Sequence, residues 1–555
     1  MNIKAINSHK KNKYGIIYMK KFLEYAVSLI HSMFIGRRMT TILGQKRAAF
    51  MNGRHLTRII RLIVYYCSVI GLLSSCAGSK DTLHRGMPEK AAGKEPVSIL
   101  VKSLGFTFPE GLSENQNPYL EYIEDHTNLK VDVRILPSTG YEKALDNIIS
   151  SDNTPDMINA ASEIWIANQV KEQRLKPLDE WIDRYGPDLK KHIPGSVWNK
   201  VRIDGKIYGI PSQNLIKGLE LMYVRKDWLD RLGLEPPVTI EEYEKVIEAF
   251  ATQDPNGSGE QDTYGLSMMH SLYRSAPFFG AFGIQLNQWT ERDGKLVYSN
   301  TLPEMKEALA FFAKLYKNKW LDPDFPMNNN SAFAQKIEEG KIGLFSATWY
   351  DTRGPIDKNI EKEPHAEWIP LEYPTGKKGQ KGVYATVPVQ SYQVIPANSK
   401  HGEAVIRMLN FIAGEGRHTL IFGFENEVWK RLNGEIVTDF KEHDKHLYRE
   451  MFTSLVQVAD PLLKTRLHSY GKHFRLYENL QIIEQNLIEN LYTGPPTPSM
   501  ESNMSVLNSL QGVFTKIIVG AVPLDEFDRY VEEWKEKGGD AITREVNEWY
   551  QGLNK

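Results

Sequence analysis

At 555 residues the chain is too long for one ordinary core, so two or more domains are expected. The net charge of −1 hides an asymmetry: residues 1–75 carry 13 of the 68 Lys and Arg but one acid, Glu24, which leaves residues 76–555 at about −13. That excess of acids argues against nucleic acid or another polyanion as the partner of the main body. The two cysteines are Cys67 and Cys76, so nothing in 77–555 can form a disulfide or a cysteine metal cluster.

Arg54, Arg58 and Arg61 precede an apolar run from Leu62 to Leu73, followed by Ser74-Ser75-Cys76-Ala77-Gly78. A basic segment, a dozen apolar residues and small residues before the cut fit a secretory signal; the run is short for a transmembrane helix. Lys20-Lys21 and the apolar stretch 22–36 form a second, weaker signal-like segment, so residues 1–75 are expected to be extension plus signal, with Met51 as the true start. Residues 76–96 are small, polar and aperiodic, as a flexible tether is.

Val97-Ser-Ile-Leu-Val-Lys opens the body as a strand. Asn117 as cap and Pro118 at the first position predict a helix to about Asn128, and Leu129–Leu136 alternates as a second strand. Tyr141–Ser150 reads as a helix and Thr154–Asn159 as a third strand. Gly205 and Gly209 bracket a short β-type run that ends at Pro211; Leu219–Val224 is a second apolar run of strand length, beyond a polar joint at 212–218. A chain that leaves one sheet and at once enters another is crossing between lobes. Trp228, Leu229, Leu232 and Leu234 recur at helical spacing; Thr239 with Glu242 predicts a capped helix over 239–250, and Pro303–Asn318 another. Between them, Asp254, Asn256, Ser258, Glu260 and Asp262 stand at positions 1, 3, 5, 7 and 9 of a calcium-type loop with Gly259 at position 6; Gly265 occupies position 12, so the bidentate glutamate is absent. From Glu484 the sequence is expected to be mostly helical. Strands alternating with helices predict an α/β protein with mainly parallel sheets covered on both faces.

Asp204-Gly-Lys-Ile-Tyr-Gly-Ile-Pro211 and Tyr223-Val-Arg-Lys-Asp-Trp-Leu229 closely resemble the paired motifs of the family 1 extracellular solute-binding proteins, the maltose-binding type of ABC-importer receptor. Pro155-Asp156, Leu175-Lys-Pro-Leu-Asp, Glu339–Trp349 and Gln390–Pro396 are similar to further family segments, and the resemblance spans nearly all of 96–555. It implies the two-lobe, type II periplasmic-binding-protein fold with a multi-strand hinge, expected near 212–218, 366–370 and 420–432. Lobe 1 is expected to comprise 97–213 plus 369–425, and lobe 2 217–368 plus 426–555. Leu73-Ser-Ser-Cys76 resembles a lipoprotein signal, implying a diacylglycerol on Cys76, a membrane-anchored extracellular receptor and partner permease subunits. A monomer is expected.

Sugar rings stack their C–H faces on flat aromatic rings and need amides and carboxylates for their hydroxyls, so an aromatic share of 11% suits a saccharide cleft. Trp165, Tyr273, Trp289, Trp349 and Tyr350 fall in segments that line the cleft in relatives. Gln390, Tyr392, Glu425 and Trp429 are further candidates, although Asn426 replaces the second glycine of the Gly-x-Glu-Gly pattern. The alginate-binding relatives complete a similar calcium loop with an acid where this chain has Thr263, so a structural Ca²⁺ is expected here with weakened affinity. His-Glu-x-x-His, Gly-x-Ser-x-Gly and Walker motifs are absent, and neither catalytic residue nor catalytic cofactor is expected. The sequence therefore predicts a receptor that captures an oligosaccharide by hinge closure. A peptide or other polar solute, a surface polysaccharide-degrading enzyme and an adhesion lipoprotein are the alternatives.

Overall fold

In Leu129–Leu136 the side chains of Leu129, Val131 and Val133 are buried while Lys130 and Asp132 face solvent, so the alternation in the sequence is the inner and outer face of a strand. The computed structural model describes residues 93–552 apart from Asp460 and Pro495; the signal segment, Met51 and Cys76 lie outside these residues. Two main sheets are built from β1 (Glu95–Lys102), β2 (Leu129–Leu136), β3 (Met157–Ala160), β4 (Ile210–Gln213), β5 (Glu220–Arg225), β6 (Leu344–Thr348), β7 (Trp368–Leu371) and β8 (Val389–Val394). The first has the order β2-β1-β3-β8-β4 and the second β6-β5-β7.

Parallel pairing in the first sheet is confined to β1–β2 and β1–β3; β8 runs antiparallel to both β3 and β4. In the second sheet β5 is antiparallel to both neighbours, and parallel contact is limited to single bridges such as Ser267 with Phe345. The expectation of a mainly parallel sheet in each lobe is corrected accordingly. β5, which carries the chain into its lobe, is the central strand of the second sheet, and both of its neighbours run against it.

The helices form where local signals placed them. In α1 (Pro118–Thr127) Asn117 Oδ1 accepts from the Leu120 N–H, and the helix ends at Asn128 in the left-handed region. In α2 (Glu163–Lys171) Ser162 is the cap. Thr239 and Glu242 make a reciprocal capping box at the start of α3 (Ile240–Thr252), and α4 (Pro303–Lys317) buries Met305, Leu309, Phe312 and Leu315.

The first core joins residues of 97–210 and 389–420 with Tyr448, Met451, Phe452, Leu455, Val456 and Val458. The second joins 222–371 with 500–546. Two expected lobe boundaries differ from this division. Trp368–Leu371 belongs to the second sheet, so the return to the first lobe is made by β8. Residues 448–458 belong to the first core, where Ser212 Oγ donates to the Ser454 carbonyl (2.7 Å) and Gln213 N to the Gln457 carbonyl (2.8 Å). Two crossings run side by side at 214–217 and 386–388, tied by Asn214 N to Pro388 O (2.9 Å) and Thr386 N to Lys217 O (2.8 Å). The 366–370 and 420–432 segments are not crossings: Ile421, Phe422, Val428 and Trp429 make a small core of their own beside the hairpin Trp429–Leu432/Glu435–Thr438.

Candidate functional site

Between the two lobes lies a cavity of about 610 Å³, walled by the start of α2, Lys200 and β8 on one side and by 271–276, 285–288 and 489–494 on the other. Its floor is the crossing segment 384–388.

On the first-lobe wall, Glu163 sits in the first turn of α2, where a carboxylate complements the helix dipole. The Tyr392 hydroxyl donates to Glu163 Oε1 at 2.5 Å, and burial together with this carboxylate holds the phenol far above its usual range, so it remains a donor. Lys200 Nζ lies 3.7 Å from the same Glu163 oxygen and reaches the Thr493 carbonyl of the opposite wall at 3.5 Å.

On the second-lobe wall, Glu220 opens β5 and is 4% exposed. Its Oε2 accepts from Ser346 Oγ (2.7 Å) and from the Ala276 N–H (3.1 Å); burial pushes the carboxyl above the usual carboxylate range, against these bonds and the nearby Arg274. Arg274 itself is held by Asp351, with Nη1 to Oδ2 at 2.6 Å, and Asp351 also accepts from the Thr348 N–H and Oγ1 at 2.8 Å. Ser271, Leu272 and Arg274 all have left-handed backbones (φ 57°, 60° and 68°), a conformation that costs of order 1 kcal/mol or more for each such residue. What this strained loop achieves is to present Tyr273, 55% exposed, to the cavity.

Gln285, 2% exposed, donates from Nε2 to the carbonyls of Ala276 (3.0 Å) and Gly382 (3.2 Å). Those two acceptors fix the orientation of the amide, and its Oε1 is left without a partner, as is Gln288 Oε1 beside it. The 489–494 strap is fastened by Asn490 Oδ1, which accepts from the Trp289 N–H (2.9 Å), and by Leu491 N donating to the Trp289 carbonyl (3.1 Å).

A cleft shared by two lobes, with crossing strands at its floor, is the geometry of a protein that closes on a ligand. The family model described as bacterial extracellular solute-binding protein matches residues 110–417. The chain belongs to this family.

Among the relatives of this solute-binding protein, the polygalacturonan/rhamnogalacturonan-binding protein YtcQ of Bacillus subtilis (strain 168) is 25% identical over 513 residues, covering 89% of this chain and 98% of its own. The fold is similar to that of the Streptococcus pneumoniae substrate-binding protein FusA in complex with kestose (TM-score 0.65, 20% identity, 83% of this chain and 99% of that one). It is also similar to that of the alginate-binding protein AlgQ2 without calcium ion (TM-score 0.62, 16% identity, 83% and 98%). The type II periplasmic-binding-protein fold is thereby established, and the family and these relatives are binding proteins.

Of the residues singled out in the sequence of this solute-binding protein, Tyr273 and Tyr392 line the cavity. Trp165 is buried one turn into α2, its Nε1 donating to Asp146 Oδ1 at 2.8 Å, and Ser162, Glu163 and Ile164 line the wall in its place. Trp289 is buried behind the wall against Tyr298 and Tyr492. Trp349 and Tyr350 meet edge to face and pack between neighbouring apolar clusters. Gln390 is exposed: a register shift between Val389 and Ser391 breaks the two-residue alternation, so Val389 and Tyr392 both reach the cavity and Gln390 bonds Ser212 Oγ instead. Glu425 is exposed and Trp429 is buried with its Nε1 on the Gly423 carbonyl (2.9 Å), both away from the cavity lining.

Glu220, Gln285, Lys200 and the 489–494 strap were missed. An acid inside the apolar run Leu219–Val224 was a usable signal, because a buried carboxylate needs a reason. The strap was not legible as a wall; Gly494, Pro495 and Pro496 interrupt the helical expectation there.

In the 254–262 loop Ser258 Oγ lies 3.4 Å from Asp254 Oδ1, 3.2 Å from Asp262 Oδ1 and 3.3 Å from the Glu260 carbonyl. Asn256 Nδ2 donates to Asp262 Oδ1 at 2.9 Å and its Oδ1 accepts from the Ser258 N–H at 3.2 Å, so the five residues share one hydrogen-bonded turn, Glu260 through its backbone. This donor set fits a hard cation with an incomplete protein shell. The twelfth position is closed to any side chain, since a Cβ on Gly265 would stand 1.9 Å from the Ile247 carbonyl oxygen. Among the described residues there is no group of three or more His, Cys, Asp or Glu that could hold a metal.

Proposed function

We propose that this solute-binding protein is the lipid-anchored receptor of an ABC importer and captures an oligosaccharide between its lobes. The observation that carries the reading is the cavity wall itself. An exposed aromatic face, Tyr273, stands opposite the Glu163 carboxylate and the Tyr392 hydroxyl that donates to it, with the amide side chains of Gln288 and Asn490 also in the lining. Stacking faces, donors and acceptors in one cleft match the amphipathic surface of a sugar chain. The ligands named for these relatives, polygalacturonan and kestose, are saccharides, and they differ in charge.

Anchoring through Cys76, an extracellular location and delivery to permease subunits follow from the lipoprotein-type signal and from the family. The protein binds its sugar without cleaving it and works as a monomer. Calcium, when bound by Asp254, Asn256, Ser258, Asp262 and the Glu260 carbonyl, pins a surface turn and completes its shell with water; it stands apart from the cavity lining.

Titration calorimetry with a glycan panel and a peptide panel tests the reading. We expect one glycan to bind near micromolar, about −8 kcal/mol, with no new reducing ends on prolonged incubation. Tyr273→Ala should weaken that binding by about 1 kcal/mol or more through lost stacking. Binding of peptides in place of every glycan, or release of new reducing ends, overturns it.

A further inference from the structure

We infer that the cleft takes uncharged oligosaccharides and rejects uronate chains. The inference rests on the oligosaccharide reading above and settles the charge of the ligand, which the relatives leave divided. Among the described residues that line the cavity three are acidic, Glu163, Glu220 and Glu489, and one is a cation, Lys200.

The cations and the helix N-terminus that could attract a ligand carboxylate are already committed to a carboxylate or a carbonyl of the protein. The first turn of α2 faces the cavity, yet its anion is Glu163, and Ser162 Oγ takes the Trp165 N–H. Lys200 lies beside Glu163 and the Thr493 carbonyl. The Ala276 N–H at the opposite wall is held by Glu220 Oε2, and Arg274 behind it is paired with Asp351. The Tyr392 hydroxyl donates to Glu163.

An ionised uronate brings charge to like charge in this lining, whereas an uncharged sugar hydroxyl does not. Glu220 does not change the argument in either protonation state, because neither state offers a positive charge. Discrimination here therefore comes from the repulsive element as much as from the attractive one.

The test is calorimetry on the intact protein with matched pairs of equal length: uncharged trisaccharides against the corresponding uronates, and trigalacturonate against its methyl ester, at low and high salt. The expected result is at least one uncharged member bound, its uronate bound at least about ten-fold more weakly at low salt, and a narrower gap at high salt as screening weakens the repulsion. Glu163→Gln with Glu489→Gln should also narrow the gap, with an unchanged melting temperature showing that the fold is intact. A uronate bound as tightly as its uncharged partner overturns the inference and leaves the receptor reading standing. Peptide binding with no response to any sugar overturns both.

Discussion

His443 is 4% exposed, and its Nδ1 accepts from Arg449 Nη2 at 3.0 Å; Arg449 itself is fully buried. Burial, followed by the Arg449 charge, pushes the imidazole down to about 2, so it is neutral in the folded protein and protonates on unfolding below its ordinary 6.5. A depressed folded value means stability that is present above pH 6.5 and is lost as the pH falls from 6.5 toward 2, at about 1.4 kcal/mol per pH unit for this one group. We expect His443→Gln, which keeps an acceptor for Arg449, to lose roughly 2 kcal/mol less than the parent between pH 6.5 and 5 in urea titrations. Equal losses would show that another group carries the acid sensitivity. Glu220 has the opposite sign. Its folded carboxyl is raised above 4.5, so its contribution is fully present below 4.5 and is lost as the pH rises through the raised value. Glu220→Gln keeps an acceptor for Ser346 and Ala276, and should therefore melt higher than the parent at pH 7 and nearly with it at pH 4. A variant that melts lower at pH 7 would mean that the ionised form is the one the site holds.

At the scale of elements, capping chemistry was fully local and therefore readable: Asn117 with Pro118, and Thr239 with Glu242, start the helices that the sequence assigned to them. The 254–262 loop is local in the same sense, with five donors at fixed offsets, and its prediction belongs here. Calcium should raise the melting temperature by mass action, and Asp254→Ala should remove most of that rise while leaving glycan affinity within about two-fold. Loss of glycan binding by a folded Asp254→Ala protein would move the loop into the cleft. The strap at 489–494 behaves differently. Its shape is held by Asn490 on Trp289, 201 residues away along the chain, so no window of sequence could assign it to the cavity wall.

For the whole molecule, ligand shifts an open and closed equilibrium only by its differential contacts with the two states. Lys200 to Thr493 is a protein-to-protein contact made directly across the cleft. Small-angle scattering should show a smaller radius of gyration when a bound glycan is saturating, and a larger apo value for Lys200→Ala than for the parent. An unchanged radius with saturating ligand would rule out hinge closure as the response.

The sequence by itself determined the α/β class, the two-lobe fold and the helix starts. Each depends on spacing, punctuation and capping within a dozen or so residues, or on motifs that stand intact in the chain. Tertiary structure decided which aromatics face the cleft. Trp165, Trp289 and Trp429 have the chemistry of a sugar platform, but each indole N–H or ring is taken up within its own lobe, whereas Tyr273 is pushed outward by a left-handed loop. It also decided that β5 is flanked by antiparallel neighbours and that 448–458 returns to the first core, because both depend on where distant segments find an unfilled apolar face. Periodicity tells a residue to be buried; only the assembled fold tells it against what.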